Sequence, residues 1–455
     1  MPGAPHSLDE TRERTRGGQD EVTAGRPAPV LVLLCECDRP LASSSRHALD
    51  GLDEVTLGRA SERRITRRGA QLEIRVPDER VSKRHARLVR SGEGWSVEDL
   101  GSRNGTLVAG QAVRRAALDD GDLVEVGNTL FLYREQPSAG FAADHDATRA
   151  AVHELATFAP ALRRAFADLA RVATSEVPIL VQGESGSGKE RVARAVHGLS
   201  SRGGAFAAVN CGALPGELVE SELFGYRKGA FSGALEDRPG LVRSADGGTL
   251  FLDEIADLAP ASQAALLRVL QEREVLAVGA TRPVPVDVRV VAATHHDLPA
   301  QVEAGRFRRD LYARIAGFTL NLLPLRERPE DLGILIAALL ARHGRELTLA
   351  IEAARALVQH DWPLNVRELE HALGVAAALA EDGRIRVEHL PPALRSTAAD
   401  SAPLTDEDDR RRAEIVDLLR RHAGNVTAAA RELGRSRVAL HKWIKRYRID
   451  PGRFR

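Results

Sequence analysis

Residues 177–190 read Val-Pro-Ile-Leu-Val-Gln-Gly-Glu-Ser-Gly-Ser-Gly-Lys-Glu, an apolar run that gives way to a glycine-spaced turn and then to the helix-forming stretch Arg191 to Leu199. A short apolar run without alternation suits a strand buried on both faces of a parallel sheet. The glycines of Gly183-Glu184-Ser185-Gly186-Ser187-Gly188-Lys189-Glu190 let the backbone wrap phosphate oxygens, the following helix aims its N–H groups at them, and Lys189 adds a point charge. Glu190 stands where such loops usually place a Ser or Thr whose hydroxyl reaches Mg²⁺.

Outward from this loop, strands alternate with helices from about residue 151, which predicts a mostly parallel α/β sheet. The stretches 248–254 (GTLFLDE) and 286–294 (VDVRVVAAT) are further buried strands, and an Ala- and Leu-rich helical region runs from Pro329 to Leu379. The first of these strands ends in Asp253-Glu254. A carboxylate there can hold Mg²⁺ and its neighbour can orient and polarise an attacking water.

On the N-terminal side the pattern changes. Residues 1–29 lack periodicity and are expected to be a disordered tail. From Val30-Leu31-Val32-Leu33-Leu34 to residue 135, short strands recur between turn signals (55–59, 71–76, 85–90, 95–100, 123–127 and 129–134), which predicts a β-sandwich. Residues 136–150 read as a linker, 151–395 as the α/β domain with a helical lid at about 329–395, and 396–409 as a second, acidic linker. The remainder, 410–455, is basic and helical. Its segments Ile415 to Arg421, Val426 to Leu433 and Val438 to Tyr447 are separated by Gly424-Asn425 and Gly434, and the last two suit a helix-turn-helix with Asn425 and Ser436 as N-caps.

At 455 residues the chain is long enough for several domains, and 43% hydrophobic with 28% charged residues excludes a largely disordered or fibrous protein. The net charge of +0 hides a segregation. Residues 59–90 hold 11 basic and 4 acidic side chains, a net of +7; residues 411–455 hold 13 and 4, a net of +9; the rest carries −16. The basic C-terminal segment fits a DNA backbone, with Arg435, Ser436, Arg437, His441 and Lys442 on the expected recognition helix and Lys445 for phosphates. Cys35, Cys37 and Cys211 give no even set of bridges and no zinc spacing, which suits a reducing compartment. No apolar run approaches the ~20 residues of a membrane span, and the N-terminus has no hydrophobic signal core. A cytoplasmic protein without a membrane partner is expected.

The motifs GESGSGKE, VNC (209–211), ESELFGYRKGAFSGA (220–234), ADGGTLFLDEI (245–255), LLRVLQE (266–272), FRRDLYAR (307–314), PLRER (324–328) and WPLNVREL (362–369) stand in one order over about 155–395. In that order the chain resembles the sigma-54-dependent transcriptional activators, bacterial enhancer-binding proteins of the AAA+ class. The resemblance implies an ATPase that uses ATP and Mg²⁺, with Lys189 on phosphate, Asp253 (on Mg²⁺) and Glu254 as the Walker B pair, Asn210 as the switch that senses the γ-phosphate through Glu254, and Arg367 as the sensor II arginine. Arg308 and Arg314 match arginine fingers acting on a neighbouring subunit's ATP, which implies a homo-oligomeric ring, by resemblance a hexamer. Gly229-Ala230-Phe231-Ser232-Gly233-Ala234 matches the family's sigma-54-contacting GAFTGA loop, with Ser232 for Thr. A Phe set among small residues presents an apolar tip suited to binding. Three more departures are His295 for the usual sensor I Asn, Leu323 for the first Pro of a pair, and Leu364 for the Gly of WPGN. The basic C-terminal module resembles a Fis-type DNA-binding domain.

In the sandwich region, Gly58-Arg59, Val81-Ser82-Lys83-Arg84-His85 and Asn104-Gly105-Thr106 together resemble a forkhead-associated (FHA) domain, which implies binding of a phosphothreonine-containing protein, with a Ser/Thr kinase as its source. Arg59, Ser82 and Lys83 would donate charge-assisted hydrogen bonds to phosphate, Asn104 would bond the peptide backbone, and His85 would brace the loop. The expected architecture is therefore multidomain: a β-sandwich (FHA), an α/β P-loop AAA+ ATPase with helical lid, and an all-α helix-turn-helix. The expected function is an ATP-dependent activator that binds upstream enhancer DNA and remodels sigma-54 RNA polymerase under phosphothreonine control. A DNA-binding repressor or scaffold with a weak or vestigial ATPase, motivated by His295 and by Leu323 and Leu364 at the altered Pro and Gly positions, and an AAA+ remodeller of another protein are the alternatives.

Overall fold

The computed structural model describes residues 27–92, 94–137, 145–146, 155–213, 216–395, 406–422 and 424–433, with residues 440, 443, 444, 447 and 449. The tail expected at 1–29 lies outside them up to residue 26; strand β1 already begins at Pro27 and runs to Glu36.

Twelve further strands follow: β2 (Ser45–Ala48), β3 (Glu54–Arg59), β4 (Arg64–Arg68), β5 (Gln71–Val76), β6 (Ala86–Ser91), β7 (Gly94–Asp99), β8 (Thr106–Val108), β9 (Gln111–Val113), β10 (Arg115–Leu118), β11 (Leu123–Val126), β12 (Thr129–Pro137) and β13 (His145–Asp146). They form two sheets, ordered β13-β2-β1-β12-β11-β8-β9 and β10-β7-β6-β3-β5-β4. The stretch read as a linker at 136–150 is partly sheet: Gln136 and Pro137 extend β12 against β1, and His145–Asp146 pairs antiparallel with β2. Backbone pairing along an open sheet edge overrides the low β-propensity of that sequence.

The first sheet is apolar on both faces. In β1, Leu31 and Leu33 enter the sandwich core with Val55, Leu57, Val97, Phe131 and Tyr133. Val30, Val32 and Leu34 point the other way, into a core shared with the helical lid. A register irregularity between Leu33 and Cys35 shifts the side-chain phase, so Cys35 and Cys37 stay on the lid side. All three cysteines are free and buried.

The α/β domain begins with helix α1 (Pro160–Ala173), whose Leu162, Phe166, Leu169 and Ala173 form a buried stripe at helical spacing. Next come β14 (Ile179–Gln182), α2 (Lys189–Leu199), β15 (Phe206–Asn210), α3 (Gly216–Phe224), α4 (Gly240–Ser244), β16 (Thr249–Asp253), α5 (Pro260–Glu272), the small hairpin β17 (Glu274–Val275) and β18 (Val284–Pro285), β19 (Arg289–Thr294), α6 (Leu298–Glu303), α7 (Arg309–Ile315) and β20 (Phe318–Asn321). The sheet order is β15-β16-β19-β14-β20, every pair parallel. Two apolar layers cover its faces, one around Phe166, Val192 and Phe251 and one around Leu223, Leu252 and Leu311. The carboxyl ends of β14, β15, β16 and β19 therefore share one edge, where open α/β sheets bind ligands.

The lid comprises α8 (Leu332–Ala341), β21 (Thr348–Leu349), α9 (Ile351–Gln359), α10 (Asn365–Leu379) and β22 (Arg384–Ile385), packed around the fully buried Trp362. Helix Asp406–Arg421 starts inside the stretch read as the second linker, and with Val426–Glu432 it forms a small core around Ile415, Leu419, Ala429 and Tyr447. Asn425 caps the second of these helices, its Oδ1 accepting from Ala428 N at 3.1 Å. Among the described residues, no helix is long and apolar enough to cross a membrane.

Candidate nucleotide site and its companion surfaces

The loop after β14 leads into α2 through Gly188 in a left-handed conformation. Lys189 is buried, and its Nζ donates to Gly183 O at 3.1 Å and to Glu254 Oε1 at 3.3 Å. The lid closes over the same loop. Arg326 grips both oxygens of Glu184 at 2.9 and 2.6 Å, Asn365 donates to Glu184 Oε2 and Ser185 O, Arg367 Nη1 donates to Ser185 Oγ at 3.1 Å, and Arg328 donates to Ser187 O at 2.9 Å. The Arg326 and Asn365 hydrogen bonds pull the Glu184 carboxyl down to about 2. At Gly186 (φ +75) an added Cβ would lie 2.2 Å from Leu364 O, so the lid backbone approaches where only glycine fits. Leu364 itself has φ −103, a conformation open to any residue, and is 57% exposed; this explains why the Gly of the family motif is dispensable here.

Asp253 and Glu254 end β16 at this edge. Burial and the neighbouring Glu254 push the Asp253 carboxyl above its usual range, with Lys189 opposing. For Glu254 burial acts upward too, but the hydrogen bond from His295 and the charge of Lys189 outweigh it and hold the carboxyl below its usual range. His295 Nδ1 lies 2.7 Å from Glu254 Oε2, and His295 N donates to the same oxygen at 3.2 Å. Both oxygens of Glu254 are thus engaged. Asn210 sits opposite Asp253 on the adjacent strand, but its Oδ1 accepts from Gly212 N at 3.0 Å. Besides Lys189, the side chain that reaches Glu254 is His295, not Asn210; His295 is absent from the sequence-derived set although visible there as a departure.

A cavity of about 280 Å³ lies beside the loop between α1, α2 and the lid, lined by Phe166, Ser187, Arg191, Leu322, Arg328 and Ile334 among others. Arg191 and Arg328 were not singled out from the sequence; their position beneath the lid depends on tertiary folding. Ser187 Oγ is buried there without a hydrogen-bond partner. An orphaned donor, backbone amides and cationic side chains around a cavity suit a phosphate-bearing ligand. Among the described residues, no three His, Cys, Asp or Glu side chains cluster to hold a metal. Mg²⁺ needs only one or two carboxylates when phosphates complete its shell, which Asp253 can supply. Glu190 makes an ion pair with Arg194 one turn along α2.

Arg308 stands at the N-cap of α7 and Arg314 lies in its last turn. The first pairs with Asp310 on the surface and the second is exposed. The loop 229–234 is pinned at its base by Gly229 N to Ala234 O at 2.9 Å. Phe231 is 42% exposed with its ring edge-on to Tyr226 at 5.0 Å, Ser232 is exposed, and Leu235 just beyond is 82% exposed. Leu235 extends the apolar tip beyond the motif.

In the sandwich, Arg59 and Lys83 are exposed at the loop end. Arg59 donates to Glu79 O, Asn104 Nδ2 to Arg80 O at 2.7 Å, and Ser82 Oγ accepts from Arg103 N at 3.1 Å, so the four predicted residues meet around one loop, 79–83. His85 is fully buried, accepts from Ser82 N at Nδ1 and bonds Gly105 O through Nε2, which is the brace the sequence suggested. Arg435, Ser436, Arg437, His441, Lys442 and Lys445 lie outside the described residues.

A phosphate loop at the carboxyl edge of a five-stranded parallel sheet, clasped by a helical lid, defines a P-loop protein of the AAA+ class; here it is flanked by an FHA β-sandwich and a C-terminal helical module. Family models agree: a sigma-54 interaction domain matches residues 155–321, an AAA+ ATPase lid domain 326–407, an FHA domain 55–127 and a homeodomain-like domain 406–451. The chain is 46% identical to the hydrogenase transcriptional regulatory protein HoxA of Cupriavidus necator, over 62% of each chain. It is 43% identical to the response regulator protein PilR of Pseudomonas aeruginosa (64% of this chain, 69% of PilR) and 44% identical to the transcriptional regulatory protein ZraR of Escherichia coli (62% and 66%). The chain belongs to the family of sigma-54-dependent transcriptional regulators. It spans about six tenths of the length of the HoxA relatives.

Proposed function

We propose that this protein is an ATP-driven transcription activator that binds upstream DNA through residues 410–455 and remodels sigma-54 RNA polymerase, under the control of a phosphothreonine-bearing protein read by the FHA domain. The observation that carries the ATPase reading is the meeting of Lys189, Asp253 and Glu254 under lid arginines at one sheet edge. Lys189 would leave Gly183 O for the phosphates, Asp253 would hold Mg²⁺, and Glu254, kept ionised, would orient the attacking water. The bound Mg²⁺ would neutralise charge on the phosphates. Asn210 would have to release Gly212 N to act as the switch. Arg308 and Arg314 are free to serve a neighbouring subunit of a homo-oligomeric ring once Arg308 leaves Asp310. The exposed Phe231 and Leu235 supply an apolar surface for sigma-54.

Lys189→Ala is expected to abolish ATP binding, and Glu254→Ala to permit binding without turnover, as read by nucleotide affinity and phosphate release; full hydrolysis by either variant refutes the ATPase reading. Arg59→Ala is expected to abolish binding to a phosphothreonine peptide library, and unchanged affinity refutes phosphate recognition at the FHA loops. The reading as a DNA-binding scaffold with a vestigial ATPase has one observation in its favour, the engagement of both Glu254 oxygens together with Glu190 in place of a hydroxyl. It predicts no turnover by the unmodified protein.

A further inference from the structure

The lid-facing side of the sandwich is not a bare surface. Val30, Val32, Leu34, Leu130 and Leu132 share one buried core with Leu332, Ile336, Leu349, Ala353 and Leu357 of the lid. Gly333 of α8 lies under β1 so closely that an added Cβ would stand 2.0 Å from Leu34 O. Leu349 N donates to Cys37 O at 2.8 Å, which joins the backbone of the lid to that of the sandwich. Glu125, the polar residue of β11, is 1% exposed and accepts two hydrogen bonds from Arg355 of α9 at 2.6 and 2.7 Å. Arg134 and Gln136 of β12 hold the two oxygens of Glu330 at 2.7 and 2.9 Å. A bidentate buried ion pair is specific in angle and separation, and it fixes how two bodies sit rather than merely attracting them.

The grip falls next to the nucleotide site. Asp331, adjacent to Glu330, accepts from Thr157 Oγ1 and Phe158 N. Arg328, two residues before Glu330, donates to Ser187 O in the phosphate loop, and both Arg328 and Asp331 line the cavity with Ile334 and Leu335 of α8. The opposite end of the contact leads to the phosphopeptide loop. Asp78 accepts from Arg80 N with one oxygen and from Asn128 N and Thr129 Oγ1 with the other, and Asn128 O accepts from Cys37 N. Hydrogen bonds therefore run without a break from loop 79–83 to Cys37 and Leu349 of the lid.

We propose that the FHA domain is the fixed outer wall of the ATPase lid, docked through Glu125–Arg355 and the Glu330 clamp, and that this docking sets how tightly the nucleotide cavity closes. The inference rests on the nucleotide reading of the cavity given above and adds what regulates it. Loosening the wall frees the segment 328–335 from behind, so nucleotide affinity falls. By linkage, whatever the FHA loops bind can then bias the lid only through its differential effect on this docked state.

The test uses the full chain, Mg²⁺ and a fluorescent N-methylanthraniloyl ATP as the probe, on the parent, Glu125→Arg, Arg355→Glu and the double exchange. Each single variant is expected to weaken binding at least fivefold, and the double exchange to return to within twofold of the parent. Folded single variants that bind within twofold of the parent, or more tightly, overturn the proposal. If the reversed charges prevent folding, Arg134→Met, which removes one arm of the Glu330 clamp, is expected to weaken binding at least threefold, and unchanged binding there overturns the proposal equally. A parent that does not bind the probe overturns the nucleotide reading itself, a result distinct from a parent that binds regardless of the ion pair.

Discussion

His295 meets Glu254 through both its ring Nδ1 and its backbone N. A charge-assisted hydrogen bond of this kind is worth roughly 1.5–3 kcal/mol, enough to decide where a mobile carboxylate points. Glu254 also leaves β16 in a left-handed conformation (φ 52), which turns its side chain back toward Lys189. His295→Ala is expected to lower kcat about tenfold, the lower end of what such a bond can supply, while KM for ATP stays within twofold, because the imidazole touches the carboxylate and no residue of the cavity lining. Steady-state kinetics check it; a change in KM with unchanged kcat contradicts a positioning role. The acidic pair Asp253–Glu254 at the end of β16 was legible in the sequence as an apolar run ending in two acids. The partner of Glu254 was not, since the strand order that places β19 beside β16 is a long-range fact.

At the scale of elements, the same contrast holds. The strand that opens the sandwich was legible as apolar from Val30 onward, but a strand that faces one core should alternate with polar residues. The departure from alternation in Val30 to Cys37 carried the information that β1 serves two cores. Helix α8, Leu-Gly-Ile-Leu-Ile-Ala-Ala-Leu-Leu-Ala, is apolar almost all round, as a helix covered on several sides should be. Glu125 inside β11 is a buried acid that demands a cation, and the cation lies 230 positions away, at Arg355, beyond the reach of local pattern. The 3₁₀ turn Pro329–Asp331 makes a pH prediction. Burial pushes the Glu330 carboxyl up to about 7; Arg134 opposes, while Asp331 and Asp120 add to the shift. A carboxyl whose pKa is higher folded than unfolded binds its proton more tightly in the folded state. Its contribution is therefore fully present below the unfolded value and is lost as pH rises through about 7. Chemical denaturation at intervals from pH 5 to 8 should show the stability of the parent falling relative to Glu330→Gln over that window; a difference independent of pH contradicts it.

For the whole molecule, the balanced charge of +0 divides among modules with different chemistry. The basic stretch 59–90 includes the loop 79–83, with Arg59 and Lys83 open to solvent. Some of its cations are already used inside the fold: Arg63 bonds Glu36, and Arg87 bonds Glu98. Of the +9 carried by residues 411–455, the helices Asp406–Arg421 and Val426–Glu432 show cations spent on local acids, as in Arg421 with Glu432. Net charge therefore overstates what each module can offer a partner, and the individual exposed residues decide. The α/β domain lies between these modules, and its lid shares a hydrophobic core with the sandwich, so the proposed signal at the FHA loops and the proposed closure of the lid would act on one packed body.

The central claim is that nucleotide turnover in this chain is directed at sigma-54. It is tested most directly by measuring association of the full chain with purified sigma-54 in ADP and aluminium fluoride, which mimic the transferring phosphoryl group, alongside Phe231→Ala. The account predicts a complex that forms with the parent only when the mimic is present and that is lost in Phe231→Ala while nucleotide binding is retained. A parent that binds and hydrolyses ATP yet forms no such complex, or a Phe231→Ala variant that forms it as well as the parent, contradicts the account.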